Sequence, residues 1–399
     1  MADTERLRND IPQGTAYGRK PAHSNELLTK VGPGTPCGEL MRRYWQPVLA
    51  SKNVTNRPKE VRILGEDLII FRDKSGRPGL LYPRCMHRGT TLFYGRVEER
   101  GIRCCYHGWL FDVEGNCLEQ PCEPNGGANK EAARQPWYPV REQYGFVWAY
   151  MGPPDKMPEM RKFDLLEEVA QGEYLIAEDR TMSGTFDFSH PISDYSWLQM
   201  NDNVMDPFHV QVLHTTMSSV QFVPEFAAMP KVEFEYTEQG VIYHAYRTLE
   251  DGRKVDRIST WVFPNIMCVP STQLAPGKNG GFAVIVPVDD AHHRVLGIFR
   301  AKDPNWEMTP MKVDGKKSWS EMTEEEHQVF PTDYEAQRGQ GPISLHSEEH
   351  LATSDRGIAM MRRMLEQNIK IVQEGGDPIG VSFDPTKAMV ELPSGNYFS

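Results

Sequence analysis

The stretch Leu81–Asp112, LYPRCMHRGTTLFYGRVEERGIRCCYHGWLFD, holds three of the chain's 7 cysteines and two of its 12 histidines. Cys85 and His87 are separated by one residue, Cys104 and His107 by two, and sixteen residues lie between the pairs. Two soft thiolates and two imidazoles drawn from two loops suit one tetrahedral zinc, or a [2Fe–2S] cluster with both histidines on one iron. Zinc sites usually take like ligands from each loop, whereas mixed pairs fit a cluster whose irons differ. Gly89 and Gly108, each just beyond a ligand histidine, let backbone amides approach bridging sulfides. Cys105 breaks the x-x spacing of the second pair and is expected to be a small core residue. Cys37, Cys117, Cys122 and Cys268 have no histidine at ligand spacing, so plain burial is expected for each.

Around this stretch the chain reads as a packed protein of two domains. It has 399 residues, 39% hydrophobic and 10% aromatic. Lys plus Arg number 44 against 55 Asp plus Glu, so there is no basic footprint for nucleic acid. The polar start MADTERLRNDIPQGT has no apolar signal segment and no run approaches a membrane span, so a cytoplasmic protein is expected. Residues 44 to 150 carry short β-branched and aromatic runs, VRILGEDLIIFRD, PGLLYPRC and YGFVWAYMG, punctuated by turn residues. MGPPDKMPEM then marks a boundary. Beyond it KVEFEYTEQGVIYHAYRTLEDGRKV alternates as a hairpin, and RGIAMMRRMLEQNIKIVQEGG has helical spacing with Gly375 as its stop. The expected class is α+β: an N-terminal segment 1–43 packing on the second domain, an all-β domain 44–155, and an α+β domain 156–399 with an antiparallel sheet.

The pattern Cys85-x-His87 followed by Cys104-x-x-His107-Gly-Trp resembles the Rieske [2Fe–2S] motif. Such a cluster moves one electron at a time, which leaves the second domain to be explained. MNDNVMDPFHVQVLHTT supplies Asp202, Asp206, His209 and His214. Five residues of ideal helix turn by about 500°, which leaves the two imidazoles about 140° apart. Sharing a metal therefore requires a widened or ending turn, and Pro207 adds a second irregularity. Taken alone, Asp206 is equally a helix N-cap ahead of Pro207.

With the cluster motif, Asp202-x₃-Asp206-x₂-His209-x₄-His214 resembles the Rieske non-haem iron oxygenases over nearly the whole chain. The resemblance implies that His209 and His214 bind a mononuclear Fe(II) and that Asp206 bridges electrons between subunits. It also implies a third, carboxylate ligand near the start of the last long helix, where Asp355 is the match and Glu348, Glu349 and Asp333 are rivals. Asp355 is alternatively a helix N-terminal charge. A separate NAD(P)H-dependent reductase, with or without a ferredoxin, is implied as electron donor, and no GxGxxG fingerprint for a nicotinamide site occurs here. O₂, an aromatic substrate and a homotrimer or hexamer complete the expectation.

Within that family GRVEERGIRCCYHGWLFDVEGNCLEQPCEP and HLATSDRGIAMMRRML most resemble the phthalate and phenoxybenzoate dioxygenases and related O-demethylases, which often take aromatic acids. Arg247, Arg253, Lys254 and Arg257 offer a carboxylate clamp or merely a solvated hairpin. Trp197, Phe208, Phe222 and Phe226 offer pocket lining or core. Two other classes compete: a Rieske electron carrier, which would hold two irons instead of three, and a zinc-stabilised interaction protein, which would be colourless.

Overall fold

In the computed structural model, residues 21–128, 130–180, 187–218, 221–313 and 315–399 are described. The first twenty residues of the N-terminal segment therefore lie outside the described residues. The β-rich run folds as expected into small antiparallel sheets. Trp45–Ala50, Phe146–Tyr150 and Val140–Gln143 form one; Lys59–Ile63, Glu66–Arg72, Pro78–Leu81 and Trp137–Tyr138 a second; Arg96–Glu98, Gly101–Arg103, Leu110–Phe111 and Cys117–Glu119 a third. Two tight hairpins set the register. Leu64-Gly65 and Tyr144-Gly145 have positive φ at both positions, joining Ile63 to Glu66 and Gln143 to Phe146, the mirror-image turn that matches strand twist.

The larger sheet runs antiparallel in the order Tyr174–Glu178, His292–Ala301, Gly281–Asp289, Ile266–Cys268, Lys254–Val262, Gly240–Thr248, Lys231–Tyr236. Its hairpin and the long helix Arg356–Gln373, stopped by Gly375 at φ 81°, match the sequence patterns. Short helices Glu26–Thr29 and Pro36–Met41 pack on that long helix, and Tyr44 donates to the Ile379 carbonyl at 2.7 Å.

Two cores result. The main one runs from Leu28 to Leu392 and includes the first small sheet, so Trp148 and Tyr150 share a core with Trp261 and Met361. A separate core of Ile69, Phe71, Leu81, Leu92, Ile102 and Phe111 contains Cys85 and Cys104. The cluster loops thus sit on an independently packed platform. Among the described residues no helix is long and apolar enough to cross a membrane.

Candidate metal centres and active site

The two cluster loops are built alike. The Cys85 amide donates to Thr90 O at 2.9 Å and the Gly89 amide to Cys85 O at 2.8 Å; Cys104 and Gly108 repeat the pattern with Trp109 O and Cys104 O at 2.9 and 3.1 Å. Gly89 and Gly108 close these turns at φ 76° and 74°, where a side chain would be strained. Cys85 and Cys104 are each 3% exposed and face one another, while His87 and His107 lie at the half-buried rim with ring centroids 4.5 Å apart. The cysteines are thus paired inward and the histidines outward, as a cluster with chemically distinct irons requires.

Further observations fit that group. His87 Nδ1 is buried without a hydrogen-bond partner among the described residues, an expensive state that a metal bond relieves. The His87 ring is held by stacking on Trp109, 4.5 Å between centroids and 4° between planes. Burial pushes the Cys85 thiol up to about 12, and the amides of His87 and Arg88 aimed at its sulfur oppose this. Such a thiol loses its proton readily only to a cation. Cys105 and Cys122 depart from the buried expectation: both are exposed. Cys105 follows Cys104 directly at the loop tip, so its side chain points away from the core that takes Cys104. Cys104→Ser is therefore expected to abolish the visible cluster spectrum and Cys105→Ser to preserve it; absorption spectra of the two purified variants check this.

The second centre begins at helix Trp197–Val204, which ends before Pro207; a new helix starts at His209. His209–Val212 runs straight into a π-helical turn, Leu213–Met217. This is the widened turn that five-residue spacing demands, and it brings the His209 and His214 rings to 5.3 Å between centroids. The Gln211 carbonyl accepts from the Thr216 hydroxyl at 2.9 Å and from the Thr215 hydroxyl.

The carboxylate that joins these histidines is Asp333, at the first turn of helix Asp333–Arg338, whose Thr332 N-cap pairs with Glu335 in a capping box. Asp333 Oδ1 lies 3.3 Å from His214 Nε2 and 3.5 Å from His209 Nε2, and accepts from Asn203 Nδ2 at 3.0 Å. Burial alone would raise its pKa, but His214, His209 and Asn203 outweigh burial and hold it at about 2. Two imidazoles and one ionised carboxylate with ligand atoms all within 4.8 Å match the donor set of a mononuclear Fe(II) site with open positions.

Asp355 does not join them, contrary to the expectation. Its Oδ2 accepts from the Ala352 amide at 2.7 Å, so it caps the turn preceding Arg356–Gln373. Glu349 is engaged with Arg362, whose Nη2 donates to it at 2.9 Å and whose Nε donates to Asp202 at 3.0 Å. Asp206 sits in the break between the two helices, beside the His209 ring. Its Oδ1 accepts from the Phe208 amide at 2.9 Å, and its Oδ2 lies 3.6 Å from His209 Nδ1. Burial favours a raised Asp206 pKa, yet His209 and the two amides hold it below the ordinary carboxylate value.

A cavity of about 750 Å³ opens on this trio and is lined also by Val204, Phe222, Met267, Phe282 and Arg257. Of the four aromatic candidates Phe222 lines it, whereas Trp197 and Phe226 are fully buried core. Arg253 pairs with Asp251 on the hairpin surface and Lys254 is exposed, as a solvated hairpin would have them.

Comparison with known proteins shows the family. Residues 44–139 match the Rieske [2Fe-2S] domain model and residues 193–370 the vanillate O-demethylase oxygenase C-terminal domain. The chain is 54% identical over 391 residues to the phenoxybenzoate dioxygenase subunit alpha of Ectopseudomonas oleovorans, covering 97% of this chain and 94% of that one. This chain belongs to the Rieske non-haem iron oxygenases. This Rieske oxygenase is also 38% identical over 392 residues to the oxygenase subunit of the tert-butanol monooxygenase / tert-amyl alcohol desaturase of Aquincola tertiaricarbonis, covering 90% of this chain and 80% of that one. Dicamba monooxygenase bound to dicamba shares its fold at a TM-score of 0.60 with 17% identity, covering 84% of this chain and 98% of the other. The Rieske oxygenase described here is a terminal oxygenase component, and its cofactors are the [2Fe–2S] cluster and a mononuclear non-haem iron.

Proposed function

We propose that this oxygenase hydroxylates an aromatic carboxylate. Residues 44–155 would carry the cluster on Cys85, His87, Cys104 and His107, and residues 156–399 the iron on His209, His214 and Asp333, with residues 1–43 packed on the second domain. When bound, the cluster supplies electrons singly and the iron supplies open positions where O₂ and substrate meet. The chain's own residues do the rest. Asp333 and the two imidazole Nε2 atoms shape the ligand face, and the apolar walls keep water from it.

One observation carries the substrate class. Arg257 lines the cavity, is 5% exposed, and makes no ion pair with a carboxylate among the described residues. Among the described residues its guanidinium donates to Pro270 O at 2.6 Å, Ser271 O at 2.9 Å and Asn396 Oδ1 at 3.0 Å. A second buried cation, Arg247, lies over the same Phe226 ring, each guanidinium 5.1 Å from its centroid. Burial depresses both arginines to about 10. A buried positive charge without a counterion is costly, and an anionic substrate beside Arg257 offsets that cost. The relative at 54% identity acts, by its name, on such a compound, phenoxybenzoate.

Arg257→Gln is expected to lower kcat/KM for phenoxybenzoate about 10- to 100-fold, the worth of a charged hydrogen bond. The methyl ester should lose little, and Arg257→Lys should recover part of the acid's rate. Equal losses for acid and ester would reject the carboxylate reading. The match to an O-demethylase domain favours a second outcome on the same aromatic acids, removal of an O-methyl group. Mass analysis of the product separates ring hydroxylation from demethylation.

The cluster tip supports assembly with a second copy of the chain. Met86 and Tyr106, next to His87 and His107 in the chain, are 49 and 57% exposed, apolar surface of the kind that docks. In a trimer this tip would meet the neighbour's Asp206. A separate reductase, with or without a ferredoxin, would load the cluster, and the protein would work in the cytoplasm.

A further inference from the structure

We infer that Gln221 is a positioning residue: it dictates which nitrogen of His214 faces the metal and ties His214 to the segment that carries Asp333. This rests on the proposed ligand trio and adds to it. Gln221 is 5% exposed, and both ends of its amide are used. Nε2 donates to Pro331 O at 3.0 Å and to Ser218 Oγ at 2.8 Å, and Oε1 lies 2.7 Å from His214 Nδ1.

The polarity of this chain of bonds follows from one fact. A backbone carbonyl only accepts, so Pro331 O must face the NH₂ end of the amide. The Gln221 oxygen is then left toward His214, and His214 Nδ1 must carry the proton. The imidazole lone pair is thereby placed on Nε2, the atom 3.3 Å from Asp333 Oδ1. Metal-ligating histidines are oriented in this way by an acceptor on the opposite nitrogen.

The same amide spans two ligand-bearing segments. His214 sits in the π-helical turn Leu213–Met217, and Pro331 lies two residues before Asp333. The Gln221 main-chain amide also donates to His214 O at 3.0 Å, and the neighbouring Phe222 ring stacks on the imidazole at 4.1 Å. His214 is thus gripped at Nδ1, at its carbonyl and on its face. A carboxylate, Asp206, lies 3.6 Å from His209 Nδ1, whereas a neutral amide faces His214 Nδ1.

The test uses full-length protein that keeps its Rieske cluster but has its mononuclear metal removed by chelation. Co(II) is titrated in and followed by its d–d absorption. Gln221→Leu is expected to weaken Co(II) binding about 10- to 100-fold. Gln221→Glu keeps an oxygen for Nδ1–H but cannot donate to Pro331 O, so it should recover part of the affinity lost in Gln221→Leu, the rescue that a purely structural role would not show. Should Gln221→Leu fail to fold, Gln221→Met replaces it, with an intact Rieske spectrum as the criterion. Parent-like Co(II) affinity in Gln221→Leu, with binding lost in Asp333→Ala, overturns the role of Gln221. Parent-like affinity in Asp333→Ala overturns the ligand trio instead.

Discussion

Asp333→Ala is expected to lower iron from about three to about two per chain and to end product formation, while leaving the Rieske spectrum unchanged. Asp333 Oδ1 stands within 3.5 Å of both imidazole Nε2 atoms, so its removal opens one corner of a three-ligand site. It also leaves Asn203 Nδ2 without its 3.0 Å acceptor and brings two imidazoles together with no anion between them. The cluster loops are packed in a core of their own and do not depend on this helix. Asp355→Ala is the control. Its loss removes a single turn-capping bond to the Ala352 amide and should cost about 1 kcal/mol of stability with iron retained. Metal analysis with absorption spectra on both variants decides, and loss of iron in Asp355→Ala alone would restore the sequence expectation.

The second large effect is at Asp206. Asp206→Asn keeps the Oδ1 acceptor for the Phe208 amide, so the break between helices should survive. What it loses is the charge facing His209 Nδ1 at 3.6 Å. If Asp206 links His209 to a neighbouring subunit's cluster, the variant should keep all its iron and accept electrons from its reductase. Re-oxidation of the pre-reduced cluster on mixing with substrate and O₂ should nonetheless slow about 100-fold or more. Stopped-flow absorbance measures it; parent-like re-oxidation would leave Asp206 as a helix cap only.

How much of the molecule is legible in its sequence depends on how local each feature is. Both cluster loops lie within Leu81–Asp112, so ligand spacing and turn glycines sit side by side. His209 and His214 are legible for the same reason, and two ligands five residues apart on a helix demand a widened turn, which the π turn Leu213–Met217 provides. Asp333 is one of several rival carboxylates in the sequence because it comes from a different helix, far along the chain. The local signal around it, Pro331-Thr332-Asp333 with Glu335, marks a helix start and says nothing of a metal. Asp355 misleads because it too opens a helix, and a helix start suits an acidic side chain with or without iron.

Strand parity sorts the four basic candidates. Arg257 alternates in phase with Val255 and Ser259, and Arg247 with Tyr243 and Ala245, all buried, while Lys254 falls on the opposite phase and Arg253 precedes the strand. Gln221 and Asn203 leave no trace in the sequence, because an amide becomes informative only when its partners are known. Burial of Cys105 and Cys122 is expected only because neither fits the ligand spacing of the motif, and the tight loops that bury Cys104 turn Cys105 outward.

A single turnover without any reductase tests the account most directly. Holoenzyme is reduced chemically, freed of excess reductant and mixed with phenoxybenzoate under ¹⁸O₂, and the cluster colour and product mass are followed together. The account predicts that the cluster re-oxidises as an ¹⁸O-labelled product forms in an amount comparable with the mononuclear iron. Re-oxidation with the aromatic acid recovered unchanged would show that the chain only carries electrons and would contradict it.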